Sequence, residues 1–282
     1  MRLLAILVFF CAASIGRGAT VVNQDMTVNT GDVYGALEVH DGAQGQTTLQ
    51  MNGGIIEDIL SLDSCKIQIA GGFVTDMAMR DLSSARLQGG EVNSLSLRDG
   101  AHVNMSGGRV FLVFDMADGA TAHVEGGVVE AGMVGLAGSS SLDADGGRWE
   151  GLLYTTEDST LLLNNLQTSN GISLWATDRS HVEIMASGAH YDPSSLILTG
   201  NWLNGQSFSL QYHDAQTADH INIVPEPSML LGMLVVMGCR AKNNARARSF
   251  QPESARPVGQ AACRAWLRPA FHYPVWRSPN AS

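Results

Sequence analysis

Through the middle of the chain, apolar and polar residues alternate in short bursts, and the bursts recur around pairs of glycines. The pairs are Gly53/Gly54, Gly71/Gly72, Gly89/Gly90, Gly107/Gly108, Gly126/Gly127 and Gly146/Gly147, spaced by 18, 18, 18, 19 and 20 residues. Two residues after each pair stand Ile56, Val74, Val92, Val110, Val129 and Trp149. Two before stand Met51, Ile69, Leu87, Met105, Val124 and Ala144, and four before stand Leu49, Ile67, Ala85, Val103, Ala122 and Leu142. Three apolar columns kept through six copies mark a structural repeat. Within a unit such as Ala101-His102-Val103-Asn104-Met105 the alternation is that of a strand with one buried face. The glycine pair supplies a corner, where positive φ and close backbone approach cost little. Beyond it apolar residues resume, as Val92, Leu95 and Leu97 in one unit and Val74, Met77 and Met79 in another.

A period of 18 is too short for a pair of helices and suits a coil of short strands. Each coil would pair in parallel with the next, about 4.8 Å along the axis. The pattern therefore predicts an all-β chain, a right-handed parallel β-helix of ~18-residue coils with apolar ladders inside and polar columns outside. The regular repeats span residues 45–165 of a solenoid covering 20–223. Tyr34-Gly35, 18 residues before the first pair, predicts the corner of a degenerate leading coil. Asn164/Asn165, 18 after the last pair, predicts a trailing one, because asparagine tolerates the left-handed region. Over 166–223, Leu196, Leu198, Trp202, Leu203, Phe208 and Leu210 predict strands that close the open end of the tube.

The two ends of the chain read as addresses. Arg2, the apolar run Leu3 to Ala13 and the small residues from Gly16 to Ala19 predict a helical secretory signal over residues 1–19, and hence export. Near the other end Val224-Pro225-Glu226-Pro227 is followed by an apolar stretch from Ser228 to Cys239 and by Arg240, Lys242, Arg246 and Arg248. This order resembles the PEP-CTERM sorting signal of bacteria that make extracellular polysaccharide. The resemblance covers residues 224–248. It implies that an exosortase is the partner that recognises Pro225-Glu226-Pro227, and that the precursor is held transiently in the inner membrane by the short hydrophobic segment and its basic flank. It also implies a mature form at the cell surface or outside the cell, in the company of exopolysaccharide. The prolines keep the motif extended, and positive charge after an apolar segment resists translocation. Residues 249–282, basic and without apolar periodicity, predict a disordered tail.

Charge separates these parts. The 282 residues carry a formal net charge of −10. Thr20 to Val224 contains 25 Asp/Glu against seven Lys/Arg, a balance of −18, whereas Arg240 onward contains eight basic residues and one acid, Glu253. So acidic a body argues against a nucleic-acid partner, since phosphate binding needs Lys and Arg to displace counterions. Four cysteines make no disulfide framework.

Candidate chemistry is sparse. Asp63, Asp81, Asp99 and Asp118 recur eight residues before four of the glycine pairs and read as turn openers. His40, His102, His123, His181, His190, His213 and His220 show no metal-ligand spacing, and no metal or cofactor is expected. His102 and His123 read as outward-facing residues at comparable positions of neighbouring coils. Arg80, Arg98 and Arg109, with Asp76, Glu91 and Asp115, are the residues a β-helix enzyme of acidic polysaccharides would need, but no spacing singles out an acid and a base. The expectation is an exported, non-catalytic surface or matrix protein, structural or adhesive. The alternative is a β-helix polysaccharide lyase or hydrolase acting on extracellular glycans.

Overall fold

A computed structural model describes residues 18–168 and 171–225. Residues 1–17, with nearly all of the predicted signal helix, lie outside it, as do 226–282. The described strands form a parallel β-solenoid of about nine turns. In the coil that begins at Ser84, Ala85 and Leu87 form a first inward run, Val92 a second, and Leu95 and Leu97 a third, none more than 4% exposed. Each residue stacks on its equivalent in the next coil: Ala85 on Val103, Leu87 on Met105, Val92 on Val110, Leu95 on Phe114 and Leu97 on Met116. Because side chains alternate with a period of two, a slip by one residue would turn each run out to solvent, so burial locks the register.

Three corners join the runs. At the first, the glycine pair is required by contact as well as by conformation. Gly90 has φ +75°, and a Cβ there would lie 2.9 Å from the carbonyl oxygen of Gly72 in the coil below. At the second, Asp63, Asp81, Asp99 and Asp118 all adopt the left-handed region, with φ between +55° and +58°. Asp81 also reaches back one coil, where its carboxylate accepts the Asp63 N–H at 3.2 Å. The turn-opener reading of this column is thus borne out. Two residues further on lies a buried ladder of small side chains that sequence patterning missed: Thr47, Cys65, Ser83, Ala101, Ala120, Ser140, Ser159 and Ser180.

The third corner varies. It holds Thr75-Asp76 and Asn93-Ser94 in two coils, then Phe111-Leu112-Val113, then Glu130-Ala131-Gly132-Met133, then Glu150-Gly151-Leu152. The residues that stretch the period from 18 to 19 and 20 therefore fall here, while the other two corners keep a constant length. An extra residue at the glycine corner would break a close backbone stack, whereas at the third corner it only bulges outward. Leu112 and Val113, 50% and 37% exposed, show that outcome.

The leading coil differs from expectation. Met26 and Val28 pair with Leu49 and Met51, and Tyr34 pairs with Ile56, so the corner is Thr30-Gly31 rather than Tyr34-Gly35. A loop closed by the Gly42–Gly45 bridge lengthens this coil at its aspartate corner, which displaces the corner from an 18-residue spacing. The trailing corner is as predicted, with Asn165 at φ +53°. Closure at the far end uses an antiparallel pair, Ile197–Trp202 with Ser207–Tyr212, which buries Leu198, Trp202, Phe208 and Leu210. Ile221–Val224 then adds a last parallel strand beside Val182–Met185.

Candidate functional site

Where the third corner is longest, the wall of the tube opens into a groove of about 810 Å³. Glu130, Glu150, Leu152, Ser173, Ser209 and Gln211 are among its lining residues. Glu130 and Glu150 each follow an inward residue of the second run, Val129 and Trp149, which anchors the backbone that carries them. Arg109 and Arg148 both pair with Glu130, and Arg148 Nε lies 3.9 Å from Glu150. Arg109 is also 3.8 Å from Glu91, and its guanidinium sits 5.1 Å from the Phe111 ring centroid. Two carboxylates and two guanidiniums along one edge leave this part of an acidic body close to locally neutral. Such part-exposed pairs add little stability, about 0–1 kcal/mol each.

Beside the groove runs a row of rings. Leu152, Ser173 and Gln211 stack in register on adjacent strands. Two residues further along the same strands, and so on the same outer face, come Tyr154, Trp175 and His213. The Tyr154 and Trp175 ring centroids are 4.9 Å apart, and those of Trp175 and His213 are 4.4 Å apart and stacked at 29°. One coil earlier the position paired with Tyr154 is Gly135, so no side chain at that position covers the near end of the row. Sequence spacing hid this row, because the lengthened corners put its members 21 and 38 residues apart.

The residues singled out from the sequence are dispersed. Arg98 pairs with Asp115, whose carboxyl is held above the usual range by burial, an effect that the Arg98 charge only partly offsets. Arg109 stands at the start of the Arg109–Met116 strand and Asp115 near its end, with the third corner between them, so Arg98 and Arg109 do not converge. Arg80 is exposed beyond Met79, and Asp76 lies at the third corner beside Asp58 of the preceding coil. The Asp58 carboxyl is raised by burial and by the Asp76 and Glu57 charges. His102 and His123 are not equivalent. His102 pairs with Thr121 and His123 with Asn104, because the coils here are 19 residues apart and the histidines are 21 apart.

His123 Nδ1 lies 2.9 Å from Asp143 and its Nε2 3.0 Å from Glu125. Burial disfavours its charge, but the two carboxylates outweigh it and raise its pKa above 6.5. Among the described residues no group of His, Cys, Asp and Glu could hold a metal ion. Of the sorting motif, Val224 pairs with Met185 and Pro225 follows it. Glu226, Pro227, Arg240, Lys242, Arg246 and Arg248 lie outside the described residues. The fold and groove define the protein's class, a parallel β-solenoid with one open corner. No family model, curated protein or solved structure matches the chain.

Proposed function

We propose that the chain is an exported, non-catalytic protein of the cell surface or extracellular matrix, structural or adhesive and associated with exopolysaccharide. The observation that supports it best is where the body starts and stops. Its first strand begins at Thr20 and its last ends at Val224. These positions adjoin the signal read over residues 1–19 and the Pro-Glu-Pro motif. An exosortase that cuts near Pro225-Glu226-Pro227 would thus release a closed solenoid without opening a strand pair. The coils are right-handed in this reading, the hand that parallel crossovers take in nearly all sheets. The non-catalytic part rests on Arg98 and Arg109, which are each bound to their own carboxylates and do not face a shared site.

Expression of the full chain in an exosortase-bearing host tests the proposal. Glu226→Ala should leave uncleaved precursor in the membrane fraction, while the parent appears at the surface and in the medium. Equal release of both would remove the sorting reading. Release of unsaturated or reducing ends from acidic glycans, lost in Arg98→Ala or Arg109→Ala, would replace the non-catalytic reading with the lyase or hydrolase.

A further inference from the structure

We propose that the groove at the widened third corner, together with the Tyr154–Trp175–His213 row, is a binding site for a neutral polysaccharide chain running along the tube axis. The inference rests on the glycan-associated reading above and gives it a place and a ligand class. Sugar rings have two kinds of surface, flat patches of C–H and a rim of hydroxyls, and the two halves of the site offer one partner for each. Tyr154 and Trp175 are part-exposed, His213 is exposed, and Gly135 leaves the Tyr154 end of the row uncovered by a side chain at its own position. A sugar's C–H face can lie against such ring surfaces, which are apolar in the centre and polar at the tip.

On the groove side, Glu130, Glu150, Ser173, Ser209 and Gln211 offer acceptors and donors at several heights along the axis. Carboxylates accept hydroxyl protons, while Gln and Ser both donate and accept, so the set suits vicinal hydroxyls. Ligand sites commonly combine this kind of apolar wall with a few fixed polar groups. The charge pattern selects the ligand further. A polyuronate would approach a body with a balance of −18 over Thr20 to Val224, and the nearby guanidiniums of Arg109 and Arg148 are already engaged by Glu130. A neutral chain meets neither repulsion nor the cost of breaking those pairs. Orientation follows from the geometry: residues in register repeat at the coil spacing, so both the ring row and the polar row run along the axis.

The test is isothermal titration calorimetry of the full chain with neutral hexasaccharides (glucan, mannan and galactan) and with an oligogalacturonate of equal length. At least one neutral oligomer should bind, and the polyuronate at least tenfold more weakly. Trp175→Ala and Tyr154→Ala should each weaken binding at least tenfold, and Ser209→Trp, which fills the groove, should abolish it. Circular dichroism and urea midpoints confirm that each variant is folded. Because Trp175 also packs against its neighbours, Trp175→Phe provides a second readout: it should retain binding but lose the ligand-induced change in tryptophan fluorescence.

Absence of binding to every neutral oligomer, preference for the polyuronate, or full affinity in a folded Trp175→Ala would each overturn the site. Retention of the full chain in the matrix fraction without oligosaccharide binding would overturn the site and leave the matrix reading standing. Binding accompanied by cleavage of the oligomer would uphold the site and overturn the non-catalytic reading.

Discussion

Gly108 and Gly205 share a backbone conformation, φ +80° and +84°, in opposite surroundings. A Cβ on Gly108 would lie 2.7 Å from the Gly89 carbonyl oxygen and 2.9 Å from that of Gly90, whereas one on Gly205 would meet nothing within 4 Å. Replacing each by alanine therefore separates two costs. Gly205→Ala should lose about 1–2 kcal/mol, the cost of holding an L-residue in the left-handed region. Gly108→Ala carries the same cost and must also push apart two coils at a backbone contact. Overpacking of that kind adds about 1–3 kcal/mol. Any gain from a stiffer unfolded chain is common to both variants and cancels. With a urea m-value of about 2–3 kcal/mol/M, the extra loss would place the Gly108→Ala midpoint about 0.3–1.5 M below that of Gly205→Ala. Urea unfolding followed by circular dichroism reads this difference, provided the m-values agree. Coincident midpoints would refute the argument that the glycine corner is dictated by coil-on-coil contact, and leave conformation alone as its cause.

Val92→Asp puts a carboxylate between Val74 and Val110 in a position with no solvent exposure; it should cost about 3–5 kcal/mol at neutral pH as an uncompensated buried charge. Burial raises that carboxyl's pKa, so urea midpoints of the variant should recover as pH falls, and a pH-independent deficit would count against a sealed core. His123, raised above 6.5 by Glu125 and Asp143, contributes stability that is complete below the unfolded value and lost as pH rises through the folded one; an NMR titration placing it at or below 6.5 would contradict the geometry. Burial pushes the Cys65 thiol up to about 12, so a thiol reagent at pH 8 should label it only after unfolding, and rapid labelling of the native protein, mapped to Cys65 by peptide analysis, would mean that the aspartate corner is open.

The glycine pairs, the inward columns and the left-handed aspartates were legible in the sequence because each is tied to the core by a fixed spacing. Val92, Leu95 and Leu97 are fully buried as their pattern implies, although the step of three between Val92 and Leu95 is itself the trace of the third corner. The small ladder from Thr47 to Ser180 was readable in principle, six residues before each glycine pair, but it mixes Thr, Cys, Ser and Ala and so escapes a search for large apolar residues. What variable coil length touches was lost. The Asp41–Gln46 loop moved the first corner to Thr30-Gly31, and the widened corners scattered Tyr154, Trp175 and His213 along the chain. A groove made by insertions has no period, so only the folded register brings its residues together.

Every coil between the ends is bonded only to the coil before and the coil after it, and this gives the tube a simple mechanical character. Tension along the axis loads the backbone hydrogen bonds end-on, so that they open in sequence and not all at once. Each 18-residue coil that peels away would yield roughly 60 Å of extended chain in exchange for about 4.8 Å of tube. A protein built this way, held at one end by its envelope and at the other by a polymer, would give under strain in equal increments. It would act as an extensible tether whose stroke is set by the number of coils between the two points of attachment.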